Sequence, residues 1–174
     1  MQKSYKQKLD DTIDKISEKY FQKLKSHLPL CKDPTVIILR GHLLVEELLD
    51  KLIAMGLKDT SAIKDARLTF YQKLCITQGL IGKSNTDMWK SIKELNRLRN
   101  KISHTLPDAE LVEKLDFVLK AFFETEFDEI PKDIYSKSKS LRNGIVFLCA
   151  QLYGFIKGIE IVKEIVKKKH PTTA

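Results

Sequence analysis

The amino-acid sequence predicts an all-α protein, an up-and-down bundle of about five to six helices with a long C-terminal helix. Glycine and proline are sparse, with seven and five among 174 residues. Apolar residues recur at three- and four-residue steps along most of the chain, and no strand pattern with paired turns stands out. A chain of 174 residues has the length of one domain with its own core, so residues 1–174 are taken as a single domain.

The first two helices follow from apolar spacing and from proline. Residues 4–27 have the pattern of an amphipathic helix, and the proline-containing residues 29–34 end it, because proline cannot donate to the helix ladder. Asp33 is placed to cap the second helix, with a proline at its first position. Residues 34–55 are apolar around most of the helical wheel, which is typical of a central, buried helix, and Gly56 is a natural stop.

The later helices are separated by glycine, proline and capping residues. The spacing predicts a third helix over residues 61–78. Two glycines are predicted to end it, Gly79 and Gly82. Residues 84–87 offer caps for a fourth helix. A break at residues 105–108 starts a further helix that runs to about residue 123. The last helix is predicted from about residue 137 to about residue 168.

The composition favours an anionic partner and a reducing compartment. With 31 Lys+Arg against 23 Asp+Glu the net charge is +8, which suits nucleic acid, an acidic protein or a membrane surface, although a solvated lysine-rich surface explains it equally well. Three widely spaced cysteines without a Cys-x-x-Cys pair argue against a disulfide framework and a zinc site. Buried, reduced thiols in a cytoplasmic protein are the simplest interpretation.

Targeting, metal and cofactor signals are not recognisable. The amino terminus has no apolar segment of a secretory signal, and no apolar run approaches the ~20 residues of a membrane span, so no membrane partner is predicted. The four histidines lack the spacing of metal ligands, and residues 79–84 lack the spacing of a phosphate loop, so no metal or cofactor is predicted. His42 is interpreted as a packed or hydrogen-bonded core residue, and Trp89 as a core or dimer anchor.

The most informative motif is an Arg-x4-His pair, Arg99 and His104, at the end of the fourth helix. Arginine stays charged and binds phosphate through a planar fork, and histidine exchanges a proton near neutral pH. On a helical wheel, Arg99 lies roughly 45° from the centre of the core-facing stripe and His104 roughly 170° from it. The core-facing stripe consists of Ile92, Leu95, Leu98 and Ile102. A polar, basic stripe lies on the other side and consists of Lys93, Asn96, Arg97, Asn100 and His104.

This geometry makes a site within one straight helix difficult, since Arg99 and His104 diverge by roughly 140°. Either the helix unwinds near Ser103, or a second copy of the helix supplies the complementary group. A twofold dimer would bring two arginines and two histidines into one cleft. Cleavage of RNA by its own 2′-hydroxyl needs a general base, a general acid and a cation on the developing charge, and no metal.

The motif and its context resemble a known family. The Arg-x4-His pair, with Asn100 directly after the arginine, resembles the Arg-x4-6-His signature of the HEPN superfamily. The buried helix with Leu44-Val45-Glu46-Glu47-Leu48-Leu49 is similar to the second helix of that family. The layout from Arg40-Gly41 through Leu80-Ile81 to His104 also resembles the mannitol-operon-repressor branch. The resemblance covers about residues 35–106, and Leu106 stands where some toxin members have tyrosine.

The resemblance implies a helical bundle that dimerises. Many members are metal-independent RNases that act as toxins or in phage defence, often beside a nucleotidyltransferase-like antitoxin. By this resemblance, Arg99 would stabilise the scissile phosphate, His104 would be general acid or base, and Asn100 would orient either one. Glu46 would hold Arg99 or His104, or else form a structural ion pair in the bundle. Further contacts to RNA are assigned to Lys93, Asn96, Arg97 and Lys101.

Three functional hypotheses follow from the sequence. The first is a homodimeric, metal-independent endoribonuclease of HEPN type in a toxin-antitoxin or phage-defence role. The second is a catalytically inactive HEPN-like dimer that acts as a regulator or adaptor. The third, a nucleic-acid-binding bundle, rests on charge alone and has no helix-turn-helix support.

Overall fold

The computed structural model confirms the all-α prediction and the long C-terminal helix. It describes residues 18, 20–28, 30–82, 86–102, 115, 116, 118–120 and 131–169, and these contain helices and no strand. In chain order the helices are α1 (20–27), α2 (Pro34–Gly56), α3 (Ser61–Lys64), α4 (Phe70–Ile81), α5 (Thr86–Ile102), α6 (115–116 and 118–120) and α7 (Ile134–Lys169). The predicted helix over residues 4–27 is described only in its last part, and most of the one predicted up to about residue 123 lies outside the described residues.

The helix α2 is the centre of the bundle, as its sequence predicts. It packs against α4, α5 and α7. The Asp33 side chain accepts a hydrogen bond from the Thr35 amide at 2.8 Å, and Pro34 is the first helical residue. The helix ends at Gly56, also as predicted. Buried apolar side chains run along its length, namely Ile37, Ile38, Val45, Leu48, Leu49, Leu52 and Ile53.

The long helix α7 covers one side of α2 at close range. A Cβ atom on Gly41 of α2 would lie 2.7 Å from the Cδ1 and Cγ2 atoms of Ile145, so the two helices approach more closely than an alanine permits. The N-terminal part of α7 also holds α1, because Arg142 Nε donates to the Leu28 carbonyl at 2.9 Å. Tyr20 stacks on Tyr153 with ring centroids 3.6 Å apart.

The prediction of one continuous helix over residues 61–78 is wrong. The chain forms the short α3, leaves the helix, and starts again at Phe70. Arg67 between them has a φ of 43°, a conformation that interrupts a right-handed helix. Thr69 then accepts a hydrogen bond from the Gln72 amide while the Gln72 side chain accepts from the Thr69 amide, which is a capping box. That box, rather than the apolar spacing, sets the start of α4.

The two glycines near the end of α4 behave differently from each other. Gly82 ends the helix with a φ of 94°, in the region that glycine adopts without strain, so this prediction is confirmed. Gly79, in contrast, lies inside α4.

The expectation of buried thiols is confirmed only for Cys149. This residue is fully buried, and burial raises the pKa of its thiol to about 12. Cys31 is half-buried and Cys75 is exposed, and all three cysteines are free. The prediction that Cys75 is buried is wrong, because this residue is exposed on α4.

The helix α7 is long and apolar enough over Ile134–Val166 to cross a membrane, judged by length and composition alone. Of its most apolar 18-residue stretch, 33% is buried in the bundle. Part of this apolar character serves the core, because Leu141, Ile145 and Leu152 are buried in the bundle. A core helix can pass the same test, so the cytoplasmic location stays a prediction.

Candidate functional site

The core-facing stripe of helix α5 lies as the helical wheel predicts. Ile92, Leu95 and Leu98 are buried and Ile102 is partly buried, which confirms the core-facing stripe. Trp89 is buried in the same core cluster, so it is a core residue. Arg99 is half-buried at the border of this stripe. The burial of these residues agrees with the core-facing side of the helical wheel.

Arg99 and Asn100 lie in the last turn of α5 and contact each other. The Arg99 Nη1 atom donates to Asn100 Oδ1 at 3.2 Å. The amide of Asn100 is thus held against the guanidinium, although the two residues are adjacent in sequence and diverge on the wheel. The helix is described as far as Ile102. His104 lies outside the described residues, so its distance from Arg99 stays a prediction.

Three of the four side chains assigned to RNA contact are exposed on α5. They are Lys93, Arg97 and Lys101. Arg97 Nη1 lies 2.6 Å from Glu94 Oε1, an exposed i,i+3 ion pair of the kind that contributes little to stability. Asn96 differs from the others, because it is half-buried and its side chain contacts α2.

A buried histidine joins α2, α4 and α5 beside Arg99. His42 of α2 is 5% exposed, and its Nε2 atom lies 3.0 Å from Asn96 Oδ1 on α5. Its ring stacks on Phe70 of α4, with centroids 4.2 Å apart and planes 27° apart. The prediction that His42 is a packed, hydrogen-bonded core residue is confirmed. Its partners come from distant parts of the chain, and no local spacing in the sequence indicates them.

Glu46 forms the structural ion pair that the sequence analysis gave as one alternative. Its Oε1 atom lies 2.9 Å from Lys73 Nζ, and the same ammonium lies 2.9 Å from Asp50 Oδ2. Burial opposes the charge on Lys73, but hydrogen bonds to Asp50 and Glu46 outweigh it and raise the pKa of this lysine. The Glu46 Oε2 atom is 3.9 Å from His42 Nδ1. We call His42, Glu46, Asp50, Phe70, Lys73 and Asn96 the His42 cluster.

The electrostatics of this cluster favour a neutral imidazole. Burial is the largest cause and lowers the pKa of His42, because it penalises the charged form. The positive charges of Arg99 and Lys73 lower it further, while the hydrogen bond to Asn96 and the charge of Glu46 partly oppose them. Since Asn96 Oδ1 can only accept, Nε2 carries the proton of the neutral ring.

Two exposed leucines lie on α2 on either side of His42 in the sequence. Leu43 is 64% exposed and Leu39, one turn earlier on the same face, is 38% exposed. We call these two residues the α2 apolar patch. Both leucines were expected in a helix buried nearly all round, and for this face that expectation is wrong for a single chain. Exposed apolar side chains that cluster are typical of a protein–protein contact.

Metal-binding geometry is missing from the part of the chain that the structure describes. No group of three or more His, Cys, Asp or Glu side chains could hold an ion there. None of the protein-family models, curated proteins or solved structures compared with this chain matches it. The resemblance to the HEPN superfamily therefore rests on the motif and its surroundings.

Proposed function

We propose that the chain is a metal-independent endoribonuclease of HEPN type with a composite site at a homodimer interface. The observation that carries this proposal is the placement of Arg99 and Asn100. Arg99 lies at the end of α5, where its guanidinium donates to Asn100 Oδ1 at 3.2 Å, with exposed cations on the same helix. An arginine fork held in one orientation beside a basic surface is suited to a phosphate.

The chemistry assigned to the site is an internal transfer at phosphorus. A base takes the proton of the 2′-hydroxyl, and the 2′-oxygen bonds to the adjacent phosphorus. The bond to the 5′-oxygen breaks, and an acid gives that oxygen a proton, leaving a 2′,3′-cyclic phosphate and a 5′-hydroxyl. His104 is assigned as acid or base, Arg99 stabilises the charge on the phosphoryl oxygens, and Asn100 orients the guanidinium.

The proposed partners follow from charge, from the α2 apolar patch and from the resemblance. The exposed Lys93, Arg97 and Lys101 supply cations for an RNA backbone. Leu39 and Leu43, exposed near the His42 cluster, would be buried by a second copy packed around a twofold axis. In the proposed dimer, His104 of one chain would act with Arg99 of the other. A toxin or phage-defence role beside a nucleotidyltransferase-like antitoxin is the biological setting that the resemblance suggests.

Cleavage of RNA in the presence of a chelator tests this function. Purified protein with excess EDTA is expected to cut a single-stranded RNA and to leave 2′,3′-cyclic phosphate ends. The same sequence with 2′-deoxyribose should stay intact, because the nucleophile is missing. Loss of cutting on addition of EDTA, or equal cutting of both substrates, would contradict the mechanism. A dimer that cuts neither substrate would favour the inactive regulator.

A further inference from the structure

We propose that His42 is a positioning residue that fixes the last turns of α5, and with them Arg99, relative to α2. This inference rests on the proposed function, because the position of Arg99 matters only if Arg99 acts on a substrate. His42 is 5% exposed and acts through its hydrogen bond to Asn96. From the sequence alone, His42 is interpreted only as a core residue.

The first step is the geometry of the His42–Asn96 contact. The 3.0 Å hydrogen bond joins the middle of α2 to α5 one turn before Arg99 and Asn100. The stacked ring of Phe70 fixes the plane of the imidazole. A directional hydrogen bond from a ring that cannot rotate sets both the rotation of α5 and its height along α2.

The second step is the tight packing around the His42–Asn96 contact. Ile92 and Leu95 on α5 and Leu49 on α2 are fully buried, so apolar packing already holds these two helices together. Apolar packing is non-directional, whereas a buried polar pair has one satisfied arrangement. Asn96 Oδ1 would lose its partner in any other register, which makes the pair a determinant of where Arg99 lies.

The third step concerns the charged groups around His42. The groups that face His42 are Glu46 on its own helix, Lys73 on α4 and Arg99 on α5. Protonation of His42 adds a positive charge near two others and gives Nδ1 a proton to donate to Glu46, now 3.9 Å away. Glu46 would then be shared between His42 and Lys73, and Arg99 would be repelled. Since burial lowers the pKa of His42 below its ordinary value, this change belongs to acid pH.

Two substitutions separate positioning from packing. His42→Gln keeps an N–H donor close to Nε2 and cannot titrate, while His42→Leu keeps the apolar bulk and removes the donor. We expect His42→Leu to lower kcat about tenfold with KM within about twofold, and His42→Gln to recover activity to within about threefold of wild type. In the double variant His42→Leu/Asn96→Leu, kcat should be no lower than in His42→Leu alone, because both partners of the hydrogen bond are then removed, whereas a rise in KM would report the RNA contact assigned to Asn96. Lys51→Ala, an exposed residue of α2 paired with Glu47, is the control.

The pH profile gives a readout that a purely structural role would not move. In wild type, protonation of His42 should lower kcat by up to about tenfold at acid pH, the loss expected for His42→Leu, and His42→Gln should lack this fall. The acid limbs of log kcat against pH should therefore differ between wild type and His42→Gln. If circular dichroism shows that His42→Leu does not fold, the comparison of pH profiles between wild type and His42→Gln tests the role of His42 by itself.

The outcomes distinguish this inference from the proposed function. Cleavage by wild type with His42→Leu within twofold of it, or with identical acid limbs in wild type and His42→Gln, would overturn the role of His42 alone. Lack of cleavage by wild type would overturn the proposed function and this role with it. Tenfold loss in His42→Leu, recovery in His42→Gln and the absence of the additional acid fall in His42→Gln together would establish it.

Discussion

Replacement of Arg99 by alanine is expected to lower the rate of RNA cleavage about 100- to 1000-fold, the usual effect of removing a group that stabilises transition-state charge. The Arg99 Nη1 atom donates to Asn100 Oδ1 at 3.2 Å, which holds the fork in one orientation for a phosphoryl oxygen. Arg99→Lys should recover only part of the rate, because an ammonium cannot offer the planar fork. Initial rates on a short RNA, with the melting temperature measured in parallel, check this prediction.

Lys90→Ala is the matched control for Arg99→Ala. Lys90 is an exposed cation earlier on the same helix, 3.5 Å from Asp87, and it is not assigned to the site. Its loss should leave the cleavage rate within about twofold, because an exposed charge is well screened. Equal losses in both variants would mean that α5 contributes only general positive charge. A rate for Arg99→Ala within threefold of wild type would remove Arg99 from the mechanism.

Gly41→Ala is expected to destabilise the bundle by about 1–2 kcal/mol, although alanine is the better helix former. The gain in helix propensity is at most about 1 kcal/mol. The new methyl group opposes this gain because it would overlap Ile145, whose Cδ1 and Cγ2 atoms would both lie 2.7 Å away. Ile145 is fully buried and β-branched, so it has no empty space to enter and few rotamers to choose from. Urea unfolding followed by circular dichroism measures the change.

Gly154→Ala provides the comparison for this result. Gly154 lies inside α7, where a Cβ would meet nothing within 4 Å. Here only the gain in helix propensity from glycine to alanine contributes, and the variant should be more stable than wild type by about 0.5–1 kcal/mol. Stabilisation of both variants by the same amount would show that α2 and α7 are not packed as closely as described.

The fold could be predicted from local signals wherever those signals acted without competition. Asp33 before Pro34, Gly56 and Gly82 mark helix ends through backbone chemistry that depends on few neighbours. The prediction failed at residues 61–78, where apolar spacing continued across a break. Arg67 adopts a φ of 43° there and the capping box at Thr69 starts a new helix, and periodicity detects neither feature.

The candidate site could be predicted in part for the same reason. The helical wheel placed Arg99 at the core border and Lys93 in solvent, because both positions follow from the geometry of one helix. The His42 cluster could not be found this way. Its contacts join residues far apart in sequence, such as His42 with Asn96 and Lys73 with Glu46, and they depend on how three helices pack.

The central claim is that two chains build one site, and a mixing experiment tests it most directly. Arg99→Ala and His104→Ala are each expected to be inactive, and are unfolded and refolded together so that their chains pair at random. If Arg99 of one chain acts with His104 of the other, each mixed dimer has one complete site, and about a quarter of wild-type activity should return. If the mixture stays as inactive as each variant alone while mixed dimers are present, the composite site is contradicted.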